Sequence, residues 1–130
     1  MAKLGFKGSF DNEIASFSVS LFLFHFVEDK VHFVYCPHLD ITGYGHTLKE
    51  AKDSFEVGFM EFLDYTTKKG TLAAELKKLG WAFKGGSKLP KKPVAPSMSA
   101  LLKTNRYMSE IFDKYPVQTF KQNFGIPAYA

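Results

Sequence analysis

The chain has 130 residues, of which 45% are hydrophobic and 23% charged, and its formal net charge at pH 7 is +4. This length suits one domain, and the apolar fraction is that of a chain that buries a core rather than of a disordered one. The longest apolar run, residues 21–27, is interrupted by His25 and is too short for a membrane helix, which needs about 20 residues.

The cysteine count and the amino-terminal residues bear on whether this is a secreted, disulfide-bonded or zinc-binding protein. Cys36 is the only cysteine, so an internal disulfide framework and an all-cysteine zinc site are excluded. Residues 1–7 lack the apolar stretch of a signal peptide. We therefore expect a cytoplasmic protein with no membrane segment.

The charge is divided unevenly between the two halves of the chain. Residues 1–65 carry 5 lysines against 10 acidic residues, whereas residues 66–130 carry 11 lysines and 1 arginine against 3 acidic residues. A basic second half suits an acidic protein partner, a nucleic acid, or the acidic half of a second copy.

The first elements in chain order are strands. Residues 17–27 and 31–36 both alternate with a period of two, and the short polar turn between them predicts an antiparallel hairpin. Pro37 ends the second strand because it has no amide hydrogen for the ladder. Residues 41–45 are predicted to form a third, short strand.

Residues 47–66 carry the clearest helical pattern. Thr47 and Glu50 have the spacing of a capping box, in which the side chain of each residue accepts a hydrogen bond from the backbone amide of the other. Apolar residues then recur along one side of the helix, and these are Leu48, Ala51, Phe55, Phe59 and Phe62.

The second half contains shorter elements around a segment rich in proline, glycine and lysine. In chain order we predict a short helix over 71–79 ended by Gly80, a strand over 81–83, a linker over 85–98, one helix over about 97–114 and an edge strand over 117–126. In the last strand Phe120, Gln122, Phe124 and Ile126 would share one face. The chain thus divides into a core of residues 1–84, the linker 85–98, and a helix and tail, residues 99–130, that pack on the core or on a second copy.

Three strands followed by helices predict an α+β fold, in which an antiparallel sheet (β-β-β-α-α-β) carries its helices on one face. The other face would then be bare, with Phe22, Phe24 and Phe26 exposed in a row. Exposed aromatic rows mark contacts, so these residues are candidates for a partner or dimer interface, and we expect a homo-oligomer. The alternative is that the tail, with Phe120 and Phe124, folds back over them.

Residues 35–51 resemble the signature segment of HicB-like antitoxins. In that family a strand ends in Tyr-Cys-Pro-x-Leu, a short strand follows, and Gly-x-Thr-Leu-x-Glu-Ala opens the main helix. The matching residues here are Tyr35, Cys36, Pro37, Leu39, Gly45, Thr47, Leu48, Glu50 and Ala51.

The resemblance implies a partial ribonuclease-H-like core that neutralises a HicA-type ribonuclease toxin by covering its active site. Members of the family usually add a carboxy-terminal DNA-binding module, whereas residues 97–130 here show a single helical pattern and a strand-like tail. The partner implied by the resemblance is a HicA-like toxin.

Catalytic and metal chemistry find little support in the residue spacing. His32, His38 and His46 flank Cys36 but match no zinc pattern, and the first two strands hold no acidic residue for a metal-dependent nuclease. Cys36 has no base aimed at it and suits a buried core position. We expect no catalytic residues, no metal and no cofactor.

The lysine-rich segment 68–92 supports the alternative function, a sequence-nonspecific nucleic-acid-binding module. It contains eight lysines and one acidic residue, and a solvated linker is the other interpretation of such a composition. The predicted contacts are Lys77, Lys78, Trp81, Lys84, Lys88, Lys91 and Lys92. The leading hypothesis remains a non-enzymatic HicB-like protein that acts by protein–protein contact.

Overall fold

The computed structural model describes residues 16–85 and 92–127. The strands are β1 (Ser16–Glu28), β2 (Val31–Cys36), β3 (Ile41–Gly45), β4 (Ala82–Lys84), β5 (Lys92–Val94) and β6 (Gln118–Pro127). The helices are α1 (Leu48–Lys69), α2 (Leu72–Lys78), α3 (Met98–Thr104) and α4 (Arg106–Lys114). The predicted α+β class, with an antiparallel sheet and packed helices, is confirmed.

The main sheet has four antiparallel strands in the order β3-β2-β1-β6. β1 pairs with β2 as the predicted hairpin, and Glu28 lies opposite Val31. The two residues between them, Asp29 and Lys30, have φ values of 52° and 67°. Positive φ at both central residues is the pattern of a type I′ turn, whose twist matches that of the strands.

The carboxy-terminal strand belongs to the same sheet. β6 pairs with β1 in unbroken register from Ser16 opposite Pro127 to His25 opposite Gln118. Phe120, Gln122, Phe124 and Ile126 share one face, as predicted, and the last three are buried. That face packs on the larger core cluster, which includes residues of α1. The tail therefore extends the sheet at the edge beside β1.

The larger of the two hydrophobic clusters lies between the sheet and the first two helices. Leu21, Leu23 and Val34 come from the strands, whereas Phe55 and Phe59 come from α1, and each is at most 1% exposed. The helix also packs closely on β3, because a Cβ on Gly43 would lie 2.2 Å from the Phe55 amide nitrogen. Glycine is thus required for this close approach.

The opposite face of the sheet is covered as well, which corrects the expectation of a bare aromatic face. The smaller cluster joins Phe24, Phe26 and Tyr35 of the sheet to α3 and α4. Phe24 and Phe26 are 1% and 4% exposed. The cover comes from α3, α4 and the residues just after them, Tyr115 and Val117, rather than from Phe120 and Phe124.

The predicted single helix over 97–114 is two helices. Asn105 separates them, and its side-chain Oδ1 accepts a hydrogen bond of 3.0 Å from the Met108 amide. Asn is a preferred helix N-cap because its side chain replaces the missing intrahelical acceptor. The chain therefore restarts a helix at Arg106, which lets α3 and α4 both lie on the sheet.

The predicted linker also contains regular structure. Within 85–98, β5 pairs with β4, so Phe83 lies opposite Pro93 and Lys84 opposite Lys92. The strand predicted at 81–83 begins at Ala82. Trp81 instead closes the end of α2, where its amide bonds the Leu76 carbonyl at 3.0 Å, and Gly80 has the positive φ of 97° expected of a helix-ending glycine.

Candidate functional site

The residues that carry the HicB resemblance form a strand, a turn and a capped helix. Thr47 Oγ1 accepts a hydrogen bond of 3.1 Å from the Glu50 amide. The Glu50 carboxylate reaches back to the amide of His46 at 2.9 Å, one residue before the cap. Gly45 lies beneath this turn, since a Cβ there would be 2.5 Å from the Glu50 Cβ. These residues therefore have structural roles in the turn and the cap.

Tyr35, Leu39 and Ala51 belong to the same set and are almost wholly buried, with exposures of 0%, 3% and 0%. Pro37 directly follows the end of β2, as predicted. The Tyr35 hydroxyl donates a 2.8 Å hydrogen bond to Asp40 Oδ1 and accepts one of 2.8 Å from Asn105 Nδ2. Burial is the main reason why the pKa of Tyr35 is raised above its ordinary value. This hydroxyl is therefore a protonated structural link between the sheet and α4.

Cys36 and His38 are also structural in character. Burial raises the pKa of the Cys36 thiol to about 12, so the thiol stays protonated near neutral pH, whereas a nucleophile must be a thiolate. Burial lowers the pKa of His38, which is 4% exposed. In residues 16–85 and 92–127, no three His, Cys, Asp or Glu side chains are arranged to hold a metal ion.

The predicted aromatic interface is not exposed. Phe24 packs edge-on against Phe112 with ring centroids 4.8 Å apart, and Phe26 stacks on Tyr115 at 5.0 Å. Phe22 is partly buried at the border of the same cluster. Because the helices of the same chain cover this face, the exposed row from which we expected a homo-oligomer is absent. Self-association itself stays a prediction.

An acidic ridge runs along the outer side of α1, where no site was predicted from the sequence. We define the acidic ridge as Asp53, Val57, Glu61 and Tyr65, which are all exposed and lie on successive turns. Val57 and Tyr65 are 58% and 64% exposed, and no lysine or arginine occurs between residues 53 and 67. The spacing of four residues along a helix can be seen in the sequence, but the exposure of Val57 and Tyr65 cannot.

The ridge lies beside a shallow groove of about 680 Å³. The groove is lined by Gly58, Glu61, Phe62, Asp64, Tyr65, Lys68 and Lys69. Asp64 pairs with Lys68 at 3.1 Å, but Glu61 forms no ion pair with any described residue. An exposed aromatic ring beside an unpaired carboxylate is typical of a surface that docks a cationic partner.

A basic surface lies elsewhere on the molecule, and we define it as Lys77, Lys78, Lys84, Lys92 and Arg106. Three of these, Lys77, Lys78 and Arg106, line a cleft of about 450 Å³ together with Asp40 and Tyr107. Lys84 and Lys92 are exposed and directly opposite each other in the β4–β5 ladder. The structure thus brings Arg106, which sequence reasoning missed, to lysines almost thirty residues earlier in the chain.

Trp81 is not available to a ligand, which corrects its assignment as a nucleic-acid contact. Its ring is 3% exposed, and its Nε1 donates a hydrogen bond of 2.8 Å to the His38 carbonyl. Its apolar ring closes the end of α2 instead. Lys88 and Lys91, two further predicted contacts, lie outside the described residues.

The chain matches no protein-family model, no curated protein and no solved structure. None of the described helices combines the length and the apolar character needed to cross a bilayer.

Proposed function

We propose that this chain is a non-enzymatic HicB-like protein that acts by protein–protein contact, and that its partner is a HicA-type ribonuclease toxin. The exposed pair Val57 and Tyr65, on either side of Glu61 in the acidic ridge, is the observation that carries the proposal. The resemblance of residues 35–51 supports it independently.

The charge of the ridge suits such a partner. A ribonuclease binds a polyanion, so its active site must attract phosphate with cationic groups. An inhibitor that covers this site associates faster and binds more specifically when its own surface is negative. The stretch from Asp53 to Asp64 holds four acidic residues and no basic one. Its sign is therefore complementary to the site that it would cover.

The apolar members of the ridge suit the same purpose. Tyr65 offers a large ring with a polar tip, and tyrosine is among the residues that dominate binding energy at interfaces. Lys69 lies over this ring, with its Nζ 5.8 Å from the ring centroid, so the face of Tyr65 already accommodates a cation. A lysine or arginine of the partner would take an equivalent position.

Co-expression tests the proposal. The reading frame adjacent to the gene of this chain is examined for a small basic protein. That neighbouring protein would be expressed with and without this chain. We expect the neighbour alone to arrest growth, and the pair to grow and to elute as one complex. Absence of such a neighbour, or of a complex with it, would contradict the antitoxin role.

Two substitutions locate the contact on the ridge. Glu61→Lys and Tyr65→Ala should each weaken the complex at least about tenfold, because a buried interface anchor contributes 1–2 kcal/mol or more. Tyr44→Ala is the matched control, since Tyr44 on β3 is 65% exposed against 64% for Tyr65. Glu110→Lys on α4 controls for the change in net charge. Equal effects of variants and controls would exclude the ridge.

A further inference from the structure

The basic surface contains a pair of lysines whose placement the stability of the fold does not explain. Lys84 and Lys92 lie directly opposite each other in a two-stranded ladder only three residues long. Like charges in this arrangement destabilise the pair, and no described acidic residue forms an ion pair with either lysine. Such a pair is tolerated where an anion neutralises it.

The cleft beside this ladder continues the positive charge. Lys77 brings the cleft close to β4, because its Nζ lies 5.9 Å from the centroid of the Phe83 ring, on the face of the ladder opposite Lys84. Lys78 is paired with Glu75 at 3.2 Å, but Arg106 forms no ion pair with a described residue. Arg106 also begins α4, where the helix dipole favours an anion.

The cleft also offers an aromatic ring and a carboxylate. Tyr107 is 45% exposed at its border, and its ring is held edge-on by Tyr35, with centroids 5.0 Å apart. A nucleobase stacks readily on such a ring. Asp40 would repel a cluster of phosphates, but it can accept a hydrogen bond from a sugar hydroxyl. A volume of about 450 Å³ is in the range of sites for one small ligand.

We propose that the basic surface binds single-stranded RNA, with one nucleotide in the cleft and the adjoining phosphates on Lys84 and Lys92. Arg106 and Lys77 contact the backbone phosphate of the nucleotide in the cleft, and its base stacks on Tyr107. The contacts neutralise charge and read no base edge, so binding is nonspecific in sequence. This activity is separate from the acidic ridge and does not depend on a protein partner.

Fluorescence anisotropy with a labelled short oligouridine and the full chain tests the proposal. With about four phosphates neutralised, the affinity should fall log-linearly by about 50-fold between 50 and 200 mM salt. No binding at about 20 mM salt, or binding that does not change with salt, would overturn the proposal.

Substitutions then place the RNA. Arg106→Glu and Lys84→Glu should each weaken binding about tenfold, and Tyr107→Leu about tenfold through lost stacking. Lys49→Glu is the charge control, because Lys49 lies in the first turn of a helix as Arg106 does and the charge change is the same, although it also breaks the ion pair of Lys49 with Asp53. We expect less than about a twofold effect from it. An equal loss in all of the charge variants would show attraction by net charge only and would overturn the site.

Lys84→Glu also separates binding from folding. The substitution converts a repulsive pair into an attractive one across the β4–β5 ladder. The melting temperature should therefore rise or stay constant while RNA affinity falls. A variant that loses both stability and binding would assign Lys84 a structural role and contradict the proposed contact.

Discussion

Asn105 donates its Nδ2 hydrogen to the hydroxyl of Tyr35 at 2.8 Å, across 70 residues of sequence. The same side chain accepts a hydrogen bond from the Met108 amide through its Oδ1. One residue therefore both starts α4 and ties that helix to β2. The Tyr35 hydroxyl in turn donates a hydrogen bond to Asp40, which lies in the turn between β2 and β3.

Substitutions at Asn105 should separate these two contributions. Asn105→Ser keeps an N-cap oxygen but loses the bond to Tyr35, and we expect a loss of about 1 kcal/mol in the free energy of unfolding. Asn105→Ala loses both and should cost about 2 kcal/mol. Urea denaturation measures the difference. Equal losses in the two variants would show that the cap contributes nothing, whereas an unchanged stability in Asn105→Ser would show that the bond to Tyr35 contributes nothing.

Local patterns predicted the first half of the fold well. The alternation of residues 17–36 and the capping pair Thr47 and Glu50 depend on neighbours in sequence, and the hairpin and α1 follow from them. β6 was also predicted, because its apolar residues recur at every second position. These elements lie where the structure has them, within a few residues.

Long-range packing could not be predicted in the same way. The pattern of residues 17–27 indicated that Phe24 and Phe26 needed a cover, but no local signal identifies residues 98–117 as that cover. The helix break at Asn105 was missed because a capping residue inside an apolar pattern is also compatible with one continuous helix. The approach of Arg106 to Lys77 depends on that same packing, so the basic surface was only half visible in the sequence.

Gly43 should be the least replaceable glycine in the sheet. A Cβ there would lie 2.2 Å from the Phe55 amide nitrogen and 2.4 Å from the Ala51 carbonyl oxygen, both backbone atoms of α1. Gly43→Ala must therefore move the helix off the sheet, and we expect a loss of about 3 kcal/mol or more in stability.

Gly58→Ala is the control for that substitution. Its Cβ would meet only the side-chain Cγ2 of Ile41, at 3.3 Å, and alanine favours a helix by up to about 1 kcal/mol. We expect the free energy of unfolding to change by less than about 1 kcal/mol. Thermal and urea melts of both variants give the comparison, and similar losses in the two would contradict the close approach at Gly43.

The β1–β2 turn offers a stabilising substitution. Lys30 has a φ of 67°, a conformation that costs a residue with a Cβ roughly 1 kcal/mol. Lys30→Gly should raise the free energy of unfolding by up to about 1 kcal/mol. Lys30→Ala removes the same charge without relieving the strain and should bring no gain. If alanine stabilised the protein as much as glycine, the charge rather than the backbone would be the cause.

His38 should make stability depend on pH in one direction. Its ring is buried, its Nδ1 has no hydrogen-bond partner among the described residues, and burial lowers its pKa. The unfolded chain therefore binds a proton at a higher pH than the folded protein, so the contribution of this group to stability is fully present above the ordinary histidine pKa of about 6.5. It is lost as the pH falls below that value towards the lower pKa of the folded state. We expect His38→Gln to flatten the decrease of the urea midpoint between about pH 7 and pH 5. An unchanged slope in His38→Gln would mean that a different group titrates in this range.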